Sequence, residues 1–220
     1  MAGSKRVFLA VLVVMIISLA GVSFYYWYNN SHYIKTEDAY IDGTIYKVGP
    51  QTGGKLLEVR ASEGSKVEAG DVLARVDDSS LSPGGNIDLT LVKAPVAGVV
   101  LKVLNRPGEV IAPCQPVIML ADMHSVYLTV NVEEGKISRV KSGELVTFTV
   151  DGIPGRSFRG RVAEIQEAVA STYSLLPTRT TSGSFVKVTQ RVPVKVLIED
   201  KDDAPFRLGQ SAVVCIHLRG

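Results

Sequence analysis

The chain has 220 residues, 46% of them hydrophobic, with 24 Lys and Arg against 22 Asp and Glu. That length holds one or two small domains, and a formal net charge of +2 carries no bulk basic field to draw nucleic acid. Two cysteines, Cys114 and Cys215, are too few and too far apart for a disulfide framework or a zinc site, and both are expected to pack in a core as free thiols.

Residues 1–6 are short and basic, ending in Lys5 and Arg6. From Val7 to Ile34 there is no Lys, Arg, Asp or Glu, a run longer than the ~20 residues that span a bilayer. Residues 7–28 are therefore read as a transmembrane helix. Its far end carries Tyr25, Tyr26, Trp27 and Tyr28, the amphipathic rings that collect at headgroup level. Lys5 and Arg6 precede the span while Glu37 and Asp38 follow it, so the positive-inside bias puts Met1 in the cytoplasm and the body outside. A cleaved signal peptide would have a shorter apolar region ending in a small-x-small site. Ser18-Leu19-Ala20 instead lies in mid-run, which favours the uncleaved anchor.

Past the anchor the pattern is mainly β. Residues 29–45 read as a linker and a first barrel strand. Then come GKLLEVR, DVLARVD, GVVLKVL, VYLTVNV, LVTFTV, RGRVAEI and RVPVKVLIE, short β-branched runs bounded by Gly, Pro, Asp and Ser. The one modest helix candidate is VEEGKISRVKSG, Val132 to Gly143, good for a turn or two. The charged SEGSKVEAGD reads as a solvated turn.

Residues 46–78 and 91–123 repeat one another. At an offset of about 45 residues Pro50 and Gly53 fall on Pro95 and Gly98. With one residue dropped, Gly64, Val67, Leu73 and Val76 fall on Gly108, Ile111, Val117 and Leu120. Each copy has too few strands to bury a core alone, so the two are expected to clasp into a flattened β-sandwich. Residues 79–90 form the join, with SPGG at its centre.

Two such halves resemble the biotinyl/lipoyl-carrier fold. That family displays its modified lysine at the join between halves, but DDSSLSPGGNIDLTL contains no lysine, so no covalent cofactor is expected. The chain also resembles the HlyD/EmrA-type membrane fusion proteins, periplasmic adaptors of efflux and secretion pumps, over essentially its whole length. The resemblance rests on TEDAYIDG after the anchor, VKAPVAGVV and NRPGEVI in the second half, SLLPTRTTSGSFVKVTQRVPVKV at Ser174 to Val196, and FRLGQSAVV near the end. It implies a lipoyl-like sandwich followed by a β-barrel adaptor domain over 124–220.

The family's halves are usually separated by a long antiparallel helical hairpin reaching toward an outer-membrane channel. A join of about a dozen residues cannot make a useful helical arm at ~1.5 Å per residue. Excision of the hairpin is expected in preference to a naturally short member, and outer-membrane docking is in doubt.

No catalytic, cofactor-binding or metal residue is expected. His32, His124 and His217 are widely spaced, with no metal-binding pattern. Asp122, His124 and Ser125 are read as turn formers rather than a triad, and no nucleophile elbow or phosphate loop occurs. The resemblance implies a non-catalytic adaptor in the inner membrane. It would link a major-facilitator drug transporter to the channel, seal the export path and assemble with copies of itself. Ser174, Leu175, Leu176, Pro177, Gly183, Ser184 and Phe185 would form its partner- or substrate-facing loop. Leu175, Leu176 and Phe185 plugging one barrel end is an equal alternative. A type I secretion adaptor, or a membrane-anchored biotinyl/lipoyl-like ligand-binding domain, are the other functional readings.

Overall fold

A computed structural model describes residues 2–79, 86–166, 189–201 and 204–218. The chain divides into two units, one of residues 42–127 and one holding the two flanking segments.

In the flanking unit, helix α1 (Ala2–His32) runs straight into strand β1 (Tyr33–Asp42), so Asn29 begins no linker. The wall continues with β10 (Tyr127–Glu133), β11 (Leu145–Val150), β12 (Ser157–Ile165), β13 (Arg191–Ile198) and β14 (Ser211–His217). These close into a six-stranded barrel in the order β1-β10-β13-β12-β11-β14. Alternation explains why: Val192, Val194, Val196 and Ile198 point inward along β13, and Ala212, Val214 and Ile216 along β14. Phe148 and Phe158 stack at 5.5 Å between ring centres, with Phe206 at 5.0 Å from Phe158. All three rings are buried, at a gain of roughly 1.5–3 kcal/mol each. The helix expected near Glu134 is one turn, α2 (Glu134–Ile137).

The 42–127 unit holds β2 (Ile45–Val48), β3 (Gly54–Val59), β4 (Lys66–Val67), β5 (Val72–Val76), β6 (Leu91–Lys93), β7 (Gly98–Val103), β8 (Val110–Ile111) and β9 (Ile118–Ala121). They form two four-stranded sheets, β2-β9-β7-β4 and β6-β5-β3-β8. Exchanging β2–β5 with β6–β9 turns one order into the other, so each sheet takes two strands from each half. One apolar cluster joins the sheets, with Leu56, Leu73 and Val92 from one meeting Val100, Ile118 and Leu120 from the other.

The pairing corrects the expected alignment of the halves. Leu56 faces Val76 and Val59 faces Ala74, while Val100 faces Leu120 and Val103 faces Ile118. Lys66 pairs with Val99 as Val110 pairs with Lys55. The halves thus match at a constant offset of 44, the separation of Gly64 and Gly108, with no residue dropped. Even the strand irregularity recurs, between Leu56 and Glu58 and between Val100 and Lys102. Pro50 therefore corresponds to Ala94, not Pro95, and Gly54, not Gly53, corresponds to Gly98. The hydrogen bonds agree: Gly70 N–H donates to the Ala94 carbonyl and Cys114 N–H to the Pro50 carbonyl, both at 2.8 Å. Matching prolines misled because their turns tolerate a one-residue shift, whereas ladder hydrogen bonds do not.

Cys114 corrects a second expectation, since it is exposed rather than packed. It stands where the first half has Gly70, and both are left-handed, with φ of 60° and 92°. The turn geometry, and not thiol hydrophobicity, places it. Cys215 is half-buried on β14, and burial raises its thiol pKa despite the opposing charge of Lys35.

Candidate functional site

The last turn of any helix leaves carbonyls without intrahelical partners. At the end of α1 these are met from the barrel. Arg139, just past α2, donates from Nη2 to the carbonyls of Asn30 at 2.8 Å and Ser31 at 2.6 Å. Leu218 N–H donates to the His32 carbonyl at 2.9 Å. The His32 ring stacks on Tyr28 at 4.2 Å, with Nδ1 2.9 Å from the Tyr28 carbonyl. Tyr33 meets the edge of His217 at 5.2 Å, and His217 Nε2 lies 2.9 Å from the Thr147 hydroxyl. The Arg139 and Leu218 hydrogen bonds thus tie the helix end to the barrel.

Two neighbouring grooves open at this junction. The lower, about 520 Å³, is lined by Tyr26, Trp27, Asn30, Tyr33, Ile34, Lys35, Lys136 and Arg139. The upper, about 730 Å³, shares Ile34, Lys35 and Lys136 and adds Glu37, Asp38, Glu133 and Arg191. In the upper groove charges are mostly matched. Asp38 takes a charged hydrogen bond from Arg191 and another from Asn131 Nδ2 at 3.0 Å. Lys136 sits 2.8 Å from Glu133, and its hydrogen bond, then its charge, holds the Glu133 carboxyl below the ordinary range. The lower groove has three cations and no acid in its lining.

Of the residues singled out from sequence, Tyr25, Tyr26, Trp27 and Tyr28 ring the helix end, 47–69% exposed. Tyr26 and Trp27 also line the lower groove. Lys5 and Arg6 lie in α1, but their side chains are outside the described set. Ser174, Leu175, Leu176, Pro177, Gly183, Ser184 and Phe185 also lie outside the described residues. Sequence reading missed Lys35, Lys136 and Arg139 as a group. The signal was KISR, a pair of cations three residues apart on a helical turn, and nothing in the chain pattern ties it to Trp27.

No catalytic arrangement emerges from the histidines. The Asp122 carboxylate accepts from the His124 backbone N–H at 2.8 Å, and the Ser125 hydroxyl donates to the Asp122 carbonyl at 3.2 Å, which is a side-chain-closed turn. Burial raises the Asp122 pKa, but hydrogen bonds from His124 and Ser125 outweigh it, and the carboxyl ends below its ordinary range. Among the described residues no group of three His, Cys, Asp or Glu could hold a metal ion.

Comparison with known proteins agrees with this architecture. Residues 44–122 match the family described as "RND MFP, barrel-sandwich hybrid domain", and residues 125–217 match the "AAEA-like beta-barrel domain". The "Putative efflux system component YhbJ" of Bacillus subtilis is 32% identical over 174 residues, covering 79% of this chain and 75% of that one. The "Multidrug export protein EmrA" of Escherichia coli is 29% identical over 135 residues, 60% of this chain but only 34% of EmrA. The chain thus spans about a third of the long curated relatives and three quarters of the Bacillus one. Two solved structures share the fold: the periplasmic adaptor protein EmrA, with a TM-score of 0.61 at 16% identity, covering 86% of this chain and 99% of that one, and the membrane fusion protein Spr0693 from Streptococcus pneumoniae, with a TM-score of 0.60 at 12% identity and the same coverage. The barrel and the sandwich of two interleaved halves both fall within these matches, and the chain belongs to the membrane fusion protein family.

Proposed function

We propose that the chain is the non-catalytic adaptor of an efflux assembly. The anchor α1 sits in the inner membrane with Met1 on the cytoplasmic side, and both β units lie outside. The charge difference between Lys5, Arg6 and Glu37, Asp38 supports that orientation. The observation that carries the reading is the direct passage of α1 into β1, which becomes a stave of the barrel wall. A helix long and apolar enough to cross a bilayer thereby continues directly into the barrel wall, as a part that positions neighbours requires. Beside it stands an ion-driven transporter of the major-facilitator type. Copies of the chain surround the exit path, and the segment bearing Ser174 to Pro177 and Gly183 to Phe185 faces the transporter or its substrate.

The connection from β5 at Val76 to β6 at Leu91 is too short for a helical arm. We read it as naturally short, because the Bacillus relative matches along most of both chains and so has a similar length. Such an adaptor works without reaching an outer-membrane channel through a hairpin.

Purification of the full chain from membranes in mild detergent tests the reading. A polytopic transporter should co-purify, be identifiable by mass spectrometry, and be lost when α1 is replaced by an unrelated spanning helix. The intact mass should equal that of the bare chain. A covalent biotinyl or lipoyl group, or recovery of the chain always alone, would sink the adaptor assignment.

A further inference from the structure

We propose that the lower groove binds the headgroup of an anionic phospholipid, which fixes the barrel against the bilayer surface. The proposal rests on α1 being the bilayer anchor. Three observations meet in it. Tyr26 and Trp27 line it, and rings of this kind at the end of a spanning helix lie at headgroup level, so the groove opens at the depth of lipid phosphates. Its charged lining is Lys35, Lys136 and Arg139, without a carboxylate. Its volume, about 520 Å³, falls within the usual range for small-ligand sites, about 300–1,000 Å³.

Each of the three cations keeps donors that the protein's own hydrogen bonds do not use. Lys35 is exposed and makes no ion pair among the described residues. Arg139 uses one guanidinium nitrogen, Nη2, for the two helix-end carbonyls, which leaves N–H groups on the others, in the fork geometry that suits phosphate. Lys136 is paired with Glu133, yet it has three donors and can bridge that carboxylate to a phosphate oxygen. Arg139 therefore serves twice, closing the helix end and facing the headgroup. Lys35 follows the anchor directly, while Lys136 and Arg139 come from a turn about a hundred residues later, so the site exists only when the barrel is closed.

Trp27 is the sole tryptophan and lines the groove, so its emission reports occupancy. The full chain in neutral detergent is titrated with short-chain phosphatidylglycerol, short-chain phosphatidylcholine and inorganic phosphate. Phosphatidylglycerol should bind at least about tenfold tighter than phosphatidylcholine, a ratio in keeping with two lysines near an anionic headgroup. The preference should weaken with salt and vanish in the Lys35→Gln, Lys136→Gln double variant. It should survive in a Lys66→Gln, Lys102→Gln control, which removes the same charge from the sandwich. Equal binding of the two lipids, or a preference untouched by the groove variant, overturns the site. Displacement of phosphatidylglycerol by equimolar inorganic phosphate overturns the lipid assignment in favour of a soluble anion. Detergent titration does not need α1 to cross a membrane, and alkaline extraction of native membranes tests that anchor separately.

Discussion

At the scale of single residues, Cys114 shows how a pseudo-symmetric position dictates conformation. Its partner position in the first half is a glycine, and both carry positive φ. An L-residue there costs roughly 1–2 kcal/mol, partly offset because glycine loses more entropy on folding. Cys114→Gly should therefore stabilise the protein by about 0.5 kcal/mol, read as a higher urea midpoint at unchanged slope; a lower midpoint would mean the thiol makes contacts that matter. The other cysteine offers a test by pH. Burial raises the Cys215 thiol pKa, and only the thiolate reacts. Cys215 should resist iodoacetamide at pH 7.5 in the folded protein, and its labelling should rise only above the usual thiol range, while the exposed Cys114 labels first. Equal rates for the two at neutral pH would contradict the burial of β14.

Among the elements, β7 and β3 carry the sandwich through one close approach each. A Cβ built on Gly98 would lie 2.1 Å from the Ala121 carbonyl oxygen, and one on Gly54 would lie 2.8 Å from that of Asp77. Residues 77 and 121 are again equivalent, so the same backbone crossing occurs twice. Neither oxygen can swing aside as a side chain would, because each belongs to the backbone beside a paired strand. Gly98→Ala should cost about 1–3 kcal/mol, in the range of overpacking, and Gly54→Ala somewhat less because its contact is longer. Denaturant unfolding checks both, and a reversed order would mean that the halves do not share this geometry.

For the whole molecule, the sandwich is an insertion between barrel strands that are neighbours. The chain leaves the barrel after β1 and returns on β10, which stands beside β1. The insertion's own ends are brought together, since Ile45 pairs with Ala121. Adjacent ends and a separate core describe a unit able to fold alone. Residues 42–127, expressed as an isolated fragment, should give a dispersed amide spectrum and a cooperative melt. A collapsed, poorly dispersed spectrum would show that the barrel is needed to hold the two halves together.

Much of this was legible along the chain. The span before Tyr28 declares itself by length and lack of charge, the strands by alternation, and the duplication by repeated turns and apolar positions. Each is a local property, set by how a few neighbouring residues meet lipid, water or a pleated sheet. The exact match between halves was not legible, since Pro50 and Pro95 invited an alignment that the hydrogen bonds place one residue away. Nor could the chain alone reveal that a glycine's place had passed to Cys114, or that Arg139 closes α1 beside Trp27. Those facts depend on which distant strands pair and in what register, and only barrel closure and the clasp of the two sheets settle that, because a ladder bond forms at one register and fails at the next.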